Sequence, residues 1–292
     1  MGEQEEALVD RALRRRAFAE EIRTSMNVQT AALVDALAAV PREQFLRPGP
    51  WTIRGEAEVG RPVRQTPDSD PSHLYQNVSV AIDPERQLFN GGPGAVVPWI
   101  DALSLGAGHR VLHVGCGLGY YTALMAHVVG PTGRVLALEV DSALATEASH
   151  NLGAFGWVEV RNGDGSDPLQ EIFDAVVIHA GVTHPLDAWL DALAAGGRMI
   201  LPLTATMPQM GPLGKGMTFL LTNEGEWGIS ARPLNFVAIY SAIGVRDEAL
   251  NAAIGRALMR GSTVPATRLR RDHHQPEDSC WLHGPTFCLD AV

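Results

Sequence analysis

Short apolar runs alternate with amphipathic segments through the middle of the chain, and this alternation indicates the fold. Runs typical of buried strands lie at 111–114, 135–138, 158–160, 175–178 and 198–201. Segments with the apolar spacing of helices lie between them at 121–129, 142–152 and 185–193. Strands that alternate with helices form βαβ units. The pattern therefore predicts an α/β fold with a mostly parallel sheet and helices on both faces.

The segments before this core have a different pattern. Helical spacing of apolar residues runs over 3–24 and 29–40, and Pro41 closes the second of these helices. The segment 48–84 is rich in Pro, Gly, Asp and Ser. This composition favours turns, irregular structure and at most short strands. We therefore predict a helical N-terminal extension followed by a long irregular segment.

The segments after the core predict a strand pair and a further helix. The apolar runs 217–221 and 236–240 flank a turn at NEGEWG, and 247–259 has helical spacing. Near the C-terminus, Trp281, Phe287 and Leu289 are typical of a closing strand packed on the core.

Composition and charge exclude several classes of protein and partner. The 292 residues are 46% hydrophobic and 19% charged, as in a globular protein with a full core. The formal net charge is −10, so the electrostatic field repels phosphate backbones and anionic membranes. We therefore expect neither a nucleic acid nor a membrane as partner. The sequence leaves the oligomeric state open.

The cysteines argue against a disulfide framework and against a metal site. Cys116, Cys280 and Cys288 are an odd number and lack the CxxC spacing of a zinc ribbon. The C-terminal tail adds further possible metal ligands at Asp272, His273, His274 and His283. Their spacing matches no zinc pattern, so we predict no metal site. Free cysteines and an acidic N-terminus unlike a signal peptide predict a cytoplasmic location.

A glycine-rich loop follows the first strand of the core. Residues 110–121 read RVLHVGCGLGYY, a strand that runs into Gly115, Gly117 and Gly119 and then into a helix. Glycines let the backbone turn tightly and approach a ligand, and the helix N-terminus offers N–H groups without partners. A dinucleotide fingerprint would have a third glycine where Tyr120 stands, so the motif is GxGxG and an NAD-dependent oxidoreductase is disfavoured.

Two acidic residues follow the next two strands in the positions that a nucleoside site requires. Glu139 ends the second strand, where a carboxylate can accept both hydroxyls of a ribose. Asp164 lies between Gly163 and Gly165 after the third strand and can accept from an adenine amino group. Either acid alone could instead cap a helix or lie solvated in a loop. The glycine loop and both acids in this order favour a nucleoside site.

In these motifs the chain resembles the class I S-adenosylmethionine-dependent methyltransferases, and more closely the protein-L-isoaspartate O-methyltransferase family. The resemblance covers about residues 30–240. It includes ALAAVPREQFL, with the family's VPR-x-x-F element, VLHVGCGLGYYTALMA, VEVRNGDGS and FDAVVIHAGVTHPLDAWLDALAAGGRMILPL. Many methyltransferases share GxGxG, whereas VPREQF and NGDG in this order are much more specific. The resemblance implies a Rossmann-like fold, S-adenosyl-L-methionine as cofactor with S-adenosyl-L-homocysteine as product, and a protein or peptide substrate.

The resemblance also implies the roles of individual residues. Gly115, Gly117 and Gly119 would lie along the methionine part of the cofactor, Glu139 would hold the ribose and Asp164 would meet the adenine. The residues expected to complete the cofactor site lie beside these or at the neighbouring strand ends: His113, Cys116, Tyr120, Val140, Gly163, Gly165 and His179.

The chain departs from the family pattern at two places. The family usually has an acidic residue at the position of His113, so the contact to the methionine end of the cofactor is altered here, or His113 is a packed core residue. The family also has a Ser-Gln-Pro element before the glycine loop, and its serine lies at the substrate carboxylate. Residues 88–94 read LFNGGPG instead, so the hydroxyl group is missing.

Methyl transfer to a carboxylate remains possible without that serine or a base. A carboxyl group with an ordinary pKa of about 4 is already ionised at neutral pH. Asn90, Gly91 and Gly92 precede a predicted helix and could bind an acidic acceptor through N–H groups, or could form only a loop that crosses the cofactor. His179 and His184 flank the end of the fourth strand and would act as bases only for a hydroxyl or amine acceptor. Either histidine could also be a solvated loop residue.

Three hypotheses about function follow from these residues. The first is a methyltransferase for an isoaspartyl or aspartyl carboxylate in a protein or peptide, including a role in peptide maturation. The second is a small-molecule O- or N-methyltransferase, and the third is a cofactor-binding adaptor without turnover. We expect a substrate-covering helical and loop region at 1–92, the cofactor-binding methyltransferase domain at 93–245, and a C-terminal helix and strand extension at 246–292.

Overall fold

The computed structural model describes residues 3–55, 62–207, 211–260 and 266–291, with only the backbone for 3–8. Its helices are α1 (Glu3–Ser25), α2 (Ala31–Ala39), α3 (Pro93–Ala102), α4 (Tyr120–Val129), α5 (Ser142–Asn151), α6 (Asp187–Asp191) and α7 (Glu248–Met259). Its strands are β1 (Thr52–Gly55), β2 (Arg64–Gln65), β3 (Val78–Asp83), β4 (Leu88–Phe89), β5 (Arg110–Val114), β6 (Arg134–Glu139), β7 (Val158–Asn162), β8 (Phe173–Ile178), β9 (Leu193–Thr206), β10 (Leu213–Asn223), β11 (Ile229–Tyr240), β12 (Arg268–Arg270), β13 (Cys280–His283) and β14 (Cys288–Asp290).

These elements confirm the predicted α/β fold. The large sheet is less parallel than predicted, because the strands that follow β9 pair antiparallel. Each strand and helix predicted for the core is present, as are the two N-terminal helices and the helix at 248–259. None of the described helices is long and apolar enough to cross a membrane. Part of the predicted irregular segment, 56–61, lies outside the described residues.

The strands form two sheets. The larger one has ten strands in the order β13-β14-β12-β11-β10-β9-β8-β5-β6-β7. Within it β8 pairs in parallel with β5 and with β9. The strands from β9 to β13 pair antiparallel, so the sheet continues beyond its parallel part as an antiparallel meander. The central strand β8 reads FDAVVI and is buried almost throughout, as expected where both faces are covered.

The chain divides into two compact units that alternate along the sequence. The first unit consists of residues 1–108, 116–137 and 142–160, and the second of 109–115, 138–141 and 161–292. The glycine loop passes from the second unit to the first after Gly115. The three segments expected from the sequence, 1–92, 93–245 and 246–292, stay a prediction.

The first unit contains a small antiparallel sheet that the sequence predicted only as short strands. Its order is β2-β1-β3-β4, and Ile53 of β1 lies opposite Val80 of β3. Trp51, Ile53, Leu74 and residues of β3 form its buried cluster. This sheet gives the Pro- and Gly-rich segment a core of its own.

A buried arginine of the VPREQF element fixes that segment. Arg42 is 0% exposed. Its guanidinium group donates to the carbonyl oxygens of Leu74 at 2.8 Å and Val78 at 2.6 Å. The same group lies over the ring of Tyr120, 5.6 Å from its centroid. Because a guanidinium presents several donors in one plane, it can satisfy these carbonyls together, which an ammonium group on a flexible stem cannot.

The substitution Arg42→Lys should lower the free energy of unfolding by about 2–4 kcal/mol, because buried carbonyl oxygens lose their donors. Urea denaturation measures this change. The matched control is Arg23→Lys, since Arg23 makes an exposed ion pair in which its Nε lies 2.6 Å from the carboxylate of Glu20. It should change stability by no more than about 1 kcal/mol. Equal effects of the two substitutions would contradict the role assigned to Arg42.

Candidate functional site

All three glycines of the loop adopt backbone conformations that side chains disfavour. Gly115, Gly117 and Gly119 have φ angles of +82°, +57° and +95°. A Cβ at Gly119 would lie 2.8 Å from a methyl group of Leu152. A Cβ at Gly115 would lie 3.4 Å from the carbonyl oxygen of His179. The GxGxG spacing therefore reflects both the turn and the close packing around it.

Tyr120, which replaces the third glycine of a dinucleotide fingerprint, has a buried side chain. It is 3% exposed, and its ring packs against Phe45 and Tyr121 at centroid distances of 6.0 and 5.1 Å. Burial raises the pKa of its hydroxyl group to about 12. The thiol of Cys116 is buried too, 3.7 Å from the carbonyl oxygen of Gly117. Neither residue offers an exposed side chain to a cofactor, so their predicted contacts would have to come from the backbone.

Backbone hydrogen bonds join the loops at the carboxyl ends of neighbouring strands in the second unit. The N–H of Gly115 donates to Leu138 and that of His179 to Val114, both at 2.8 Å. The N–H of Gly163 donates to the carbonyl oxygen of Glu139 at 2.9 Å. The ends of β5, β6, β7 and β8 are thereby linked at one edge of the sheet, where open α/β sheets bind ligands.

Asn162 adds to this linkage and was missed by the sequence analysis. Its side-chain amide donates to the carbonyl oxygens of Glu139 at 2.8 Å and Val140 at 3.0 Å. It therefore holds the loop that carries the first acidic residue. The asparagine before Gly-Asp-Gly was a visible signal, but sequence alone did not say which backbone it would contact.

Glu139 lies at this edge with a nearly buried carboxylate. It is 7% exposed, and its Oε1 accepts from the N–H of Asp141 at 3.1 Å. Val140 beside it is 39% exposed. A carboxylate held by its own loop at a strand end has the geometry to accept from two adjacent hydroxyl groups.

The side chain of Asp164 is held by hydrogen bonds within a turn, and the backbone of Gly244 lies close to its carboxylate. Its Oδ1 accepts from the N–H and the hydroxyl group of Ser166 at 2.9 and 2.6 Å, and these bonds lower the pKa of the carboxyl group. The next residue, Gly165, has a φ angle of +80°, and its carbonyl oxygen accepts from the indole of Trp189 at 2.8 Å. A Cβ at Gly244 would lie 2.7 Å from the Oδ2 of Asp164. Gly244 was missed because nothing in the local sequence links it to Asp164.

His113, in β5, contacts His179, which directly follows β8. The Nε2 of His113 lies 3.3 Å from the Nδ1 of His179, and the rings stack at 5.5 Å. Burial lowers the pKa of His113 well below its ordinary value and that of His179 to about 4. Both rings are therefore neutral at neutral pH, and one N–H can donate to the other ring. His113 is 0% exposed, as in the packed-core alternative.

His184 contacts the threonine that precedes it. Its Nδ1 is 2.9 Å from the hydroxyl group of Thr183, which itself accepts from the N–H of Asp247 at 2.9 Å. Burial lowers the pKa of His184, so its ring is also neutral at neutral pH.

The Asn90–Gly92 loop is fixed in the first unit by hydrogen bonds. The Oδ1 of Asn90 accepts from the N–H of Val80 at 2.9 Å, and the hydroxyl group of Tyr121 donates to the carbonyl oxygen of Gly91 at 2.9 Å. Asn77, which the sequence analysis missed, accepts from the N–H of Gly94 at 2.7 Å and so caps α3. The donors left at this loop are the N–H groups of Gly91 and Gly92 and the amide nitrogen of Asn90.

Comparisons with known proteins bear on the family of the chain. A family model described as protein-L-isoaspartate(D-aspartate) O-methyltransferase matches residues 67–214. The protein-L-isoaspartate O-methyltransferase of Methylorubrum extorquens is 31% identical to this chain over 248 residues. The alignment covers 83% of this chain and 95% of the relative. The protein-L-isoaspartate O-methyltransferase 1 of Archaeoglobus fulgidus is 30% identical, covering 80% of this chain and 96% of its own.

Solved structures agree on the fold. A protein-L-isoaspartate O-methyltransferase structure superposes with a TM-score of 0.63 at 22% identity, covering 88% of this chain and 73% of that one. A Plasmodium falciparum structure in complex with S-adenosyl-L-homocysteine has a TM-score of 0.59 at 16% identity, covering 78% of this chain and 98% of that one. The extent of the family match and the identity over most of the chain lead to one conclusion. The chain belongs to the protein-L-isoaspartate(D-aspartate) O-methyltransferase family.

Proposed function

We propose that this protein transfers a methyl group from S-adenosyl-L-methionine to the carboxylate of an isoaspartyl or aspartyl residue in a protein or peptide. One observation carries the proposal beyond family membership. The linked strand ends of the second unit present two carboxylates, Glu139 and Asp164, at the sheet edge where nucleosides bind.

The residues at this edge fit an adenosyl group. Glu139 would accept from the two ribose hydroxyls and Asp164 from the adenine amino group. Gly115 has a φ angle of +82° and no side chain, which would let the backbone approach the ligand closely. The remaining residues of the glycine loop, Gly117 and Gly119, continue along the methionine part in this proposal. The bound cofactor supplies an electrophilic methyl group on a positively charged sulfur.

The reaction needs no proton transfer. A carboxylate oxygen of the substrate would form a bond to the methyl carbon while the carbon–sulfur bond breaks. The electron pair of the carbon–sulfur bond would go to sulfur, so the products would be a methyl ester and a neutral thioether. The protein then contributes alignment of the two reacting atoms and exclusion of water. The acceptor oxygen is already charged at neutral pH.

The low basicity of His179 favours a carboxylate as the methyl acceptor over a hydroxyl group or an amine. An efficient general base has a pKa near the working pH. Burial lowers the pKa of His179 to about 4, which makes it a weak base for such an acceptor. His179 therefore offers only a weak general base for the small-molecule hydroxyl or amine hypothesis.

The Asn90–Gly92 loop is the proposed binding site for the acceptor carboxylate. It lacks the serine of the family's Ser-Gln-Pro element. Because the Oδ1 of Asn90 is bonded to Val80, its amide nitrogen is the side-chain donor that remains, beside the N–H groups of Gly91 and Gly92. Two or three N–H donors can bind a carboxylate without a hydroxyl group.

We also propose the cytoplasm as the location. The support is that the three cysteines are buried and form no disulfide, as expected in a reducing compartment.

Incubation with S-adenosylmethionine labelled in the methyl group and an isoaspartyl peptide should give a base-labile methyl ester, because the acceptor is an ionised carboxylate. The volatile label that base releases from the peptide measures the amount of methyl ester. The matched peptides carry normal aspartate or asparagine at the same position, and the asparagine peptide should stay unlabelled. Tight binding of S-adenosylhomocysteine without label on either acidic peptide or on a protein pool would overturn the proposal in favour of an adaptor.

The substitution Asn90→Asp should lower kcat/KM for the acceptor peptide by about 10- to 100-fold, because it replaces a donor by a negative charge while keeping an acceptor for the N–H of Val80. Steady-state kinetics measure the loss. The affinity for S-adenosylhomocysteine and the free energy of unfolding should stay unchanged in the same variant. An unaltered kcat/KM would show that the loop does not bind the acceptor.

A further inference from the structure

Four side chains of types that can bind metal ions lie close together in the C-terminal part of the second unit. They belong to His274, Cys280, His283 and Cys288, and their ligand atoms all lie within 4.8 Å of one another. Among the described residues this group lies outside every element of the proposed methyl-transfer site. Linear spacing did not reveal it, because two of the ligands come together only through strand pairing.

The pairing of β13 with β14 explains how the group forms. His283 lies directly opposite Cys288 in this antiparallel pair, so their side chains share one face. Cys280 begins β13, and a register shift between Cys280 and Leu282 alters the alternation of side chains there. The turn before β13, in which the N–H of Cys280 donates to Glu277 at 3.0 Å, follows the segment that carries His274.

The distances between the candidate ligand atoms suit a metal ion with tetrahedral coordination. The Sγ of Cys280 lies 3.5 Å from the Nε2 of His274 and 4.0 Å from the Nδ1 of His283. Zn²⁺ with Zn–S bonds of about 2.3 Å and Zn–N bonds of about 2.0–2.1 Å separates its ligand atoms by roughly 3.3–3.8 Å. Small rotations of these side chains would therefore complete the coordination.

Neighbouring groups already orient two of the ligands. The Nδ1 of His274 lies 3.0 Å from the carbonyl oxygen of Asp272, to which it donates. This bond leaves the lone pair on Nε2, the atom that faces Cys280. The N–H of Glu277 donates to the sulfur of Cys280 at 3.3 Å, an arrangement that favours a thiolate.

We propose that His274, Cys280, His283 and Cys288 bind one Zn²⁺ ion as a structural site. Two thiolates and two imidazoles are a ligand set typical of tetrahedral zinc. Because protein atoms fill all four positions, the ion has no open position for catalysis. This proposal stands against the expectation from spacing and does not depend on the proposed function.

The position of the site indicates what the ion does. β13 is the outermost strand at one end of the ten-stranded sheet, and the segment 271–279 before it contains no helix or strand. Trp281, between two of the ligands, packs against Phe219 with a centroid distance of 5.5 Å and accepts from Arg260 through its carbonyl oxygen at 2.7 Å. A zinc ion would crosslink the irregular segment to both strands of the hairpin and so hold Trp281 in the core.

Metal analysis of the full-length chain tests the proposal. Protein purified without chelator from zinc-supplemented cells should contain about one zinc ion per chain. Cys280→Ser and His283→Ala should each lose most of it. His273→Ala is the matched control, because His273 is exposed, adjacent to a ligand and outside the cluster, and it should keep the full content.

A second readout remains valid if a ligand variant folds poorly. Co²⁺ in place of zinc in the unaltered protein should give the visible bands of a tetrahedral site together with thiolate-to-cobalt charge transfer. A chelator should make two thiols reactive and lower the melting temperature, because metal bound only to the folded state stabilises it. Protein without zinc and with no cobalt–thiolate band would overturn the proposal, as would a disulfide between Cys280 and Cys288 in the purified protein.

Discussion

Close backbone packing at the carboxyl ends of β5 to β8 is the constraint on which the proposed site depends. Gly115, Gly165 and Gly244 have φ angles of +82°, +80° and +86°, which other residues disfavour. A Cβ at Gly244 would meet the carboxylate of Asp164. The positive φ angles favour glycine at these positions. N–H groups of the neighbouring loops form hydrogen bonds from one strand end to the next. The protein itself therefore fixes the geometry of the loops at this sheet edge before a ligand binds.

The charges at that edge are consistent with the chemistry proposed for it. Hydrogen bonds from Ser166 lower the pKa of Asp164, which keeps it an acceptor, and Glu139 is held by the N–H of Asp141. Desolvation lowers the pKa of His113 and His179, so both rings are neutral at neutral pH. A site with fixed acceptors and neutral imidazoles is suited to binding an adenosyl group and orienting a displacement. It is poorly suited to removing a proton from the acceptor.

The sequence predicted the fold well because the decisive signals were local. Alternating apolar runs located β5, β6, β7 and β8, and the spacing of Gly115, Gly117 and Gly119 located the turn after β5. The features that could not be predicted from the sequence depend on contacts between residues that are far apart in the chain. Arg42 reaches the carbonyls near β3, Gly244 accommodates Asp164, and Asn77 caps α3. The proposed zinc site also depends on such contacts, since strand register rather than spacing brings His283 beside Cys288.

A crystal structure of the protein with S-adenosyl-L-homocysteine tests the central claim most directly. The account predicts that both ribose hydroxyls donate to Glu139, that the adenine amino group donates to Asp164, and that the chain of the ligand turns toward Gly115. A nucleoside bound elsewhere, or one whose ribose and adenine do not contact these two carboxylates, would contradict the assignment of this edge as the cofactor site.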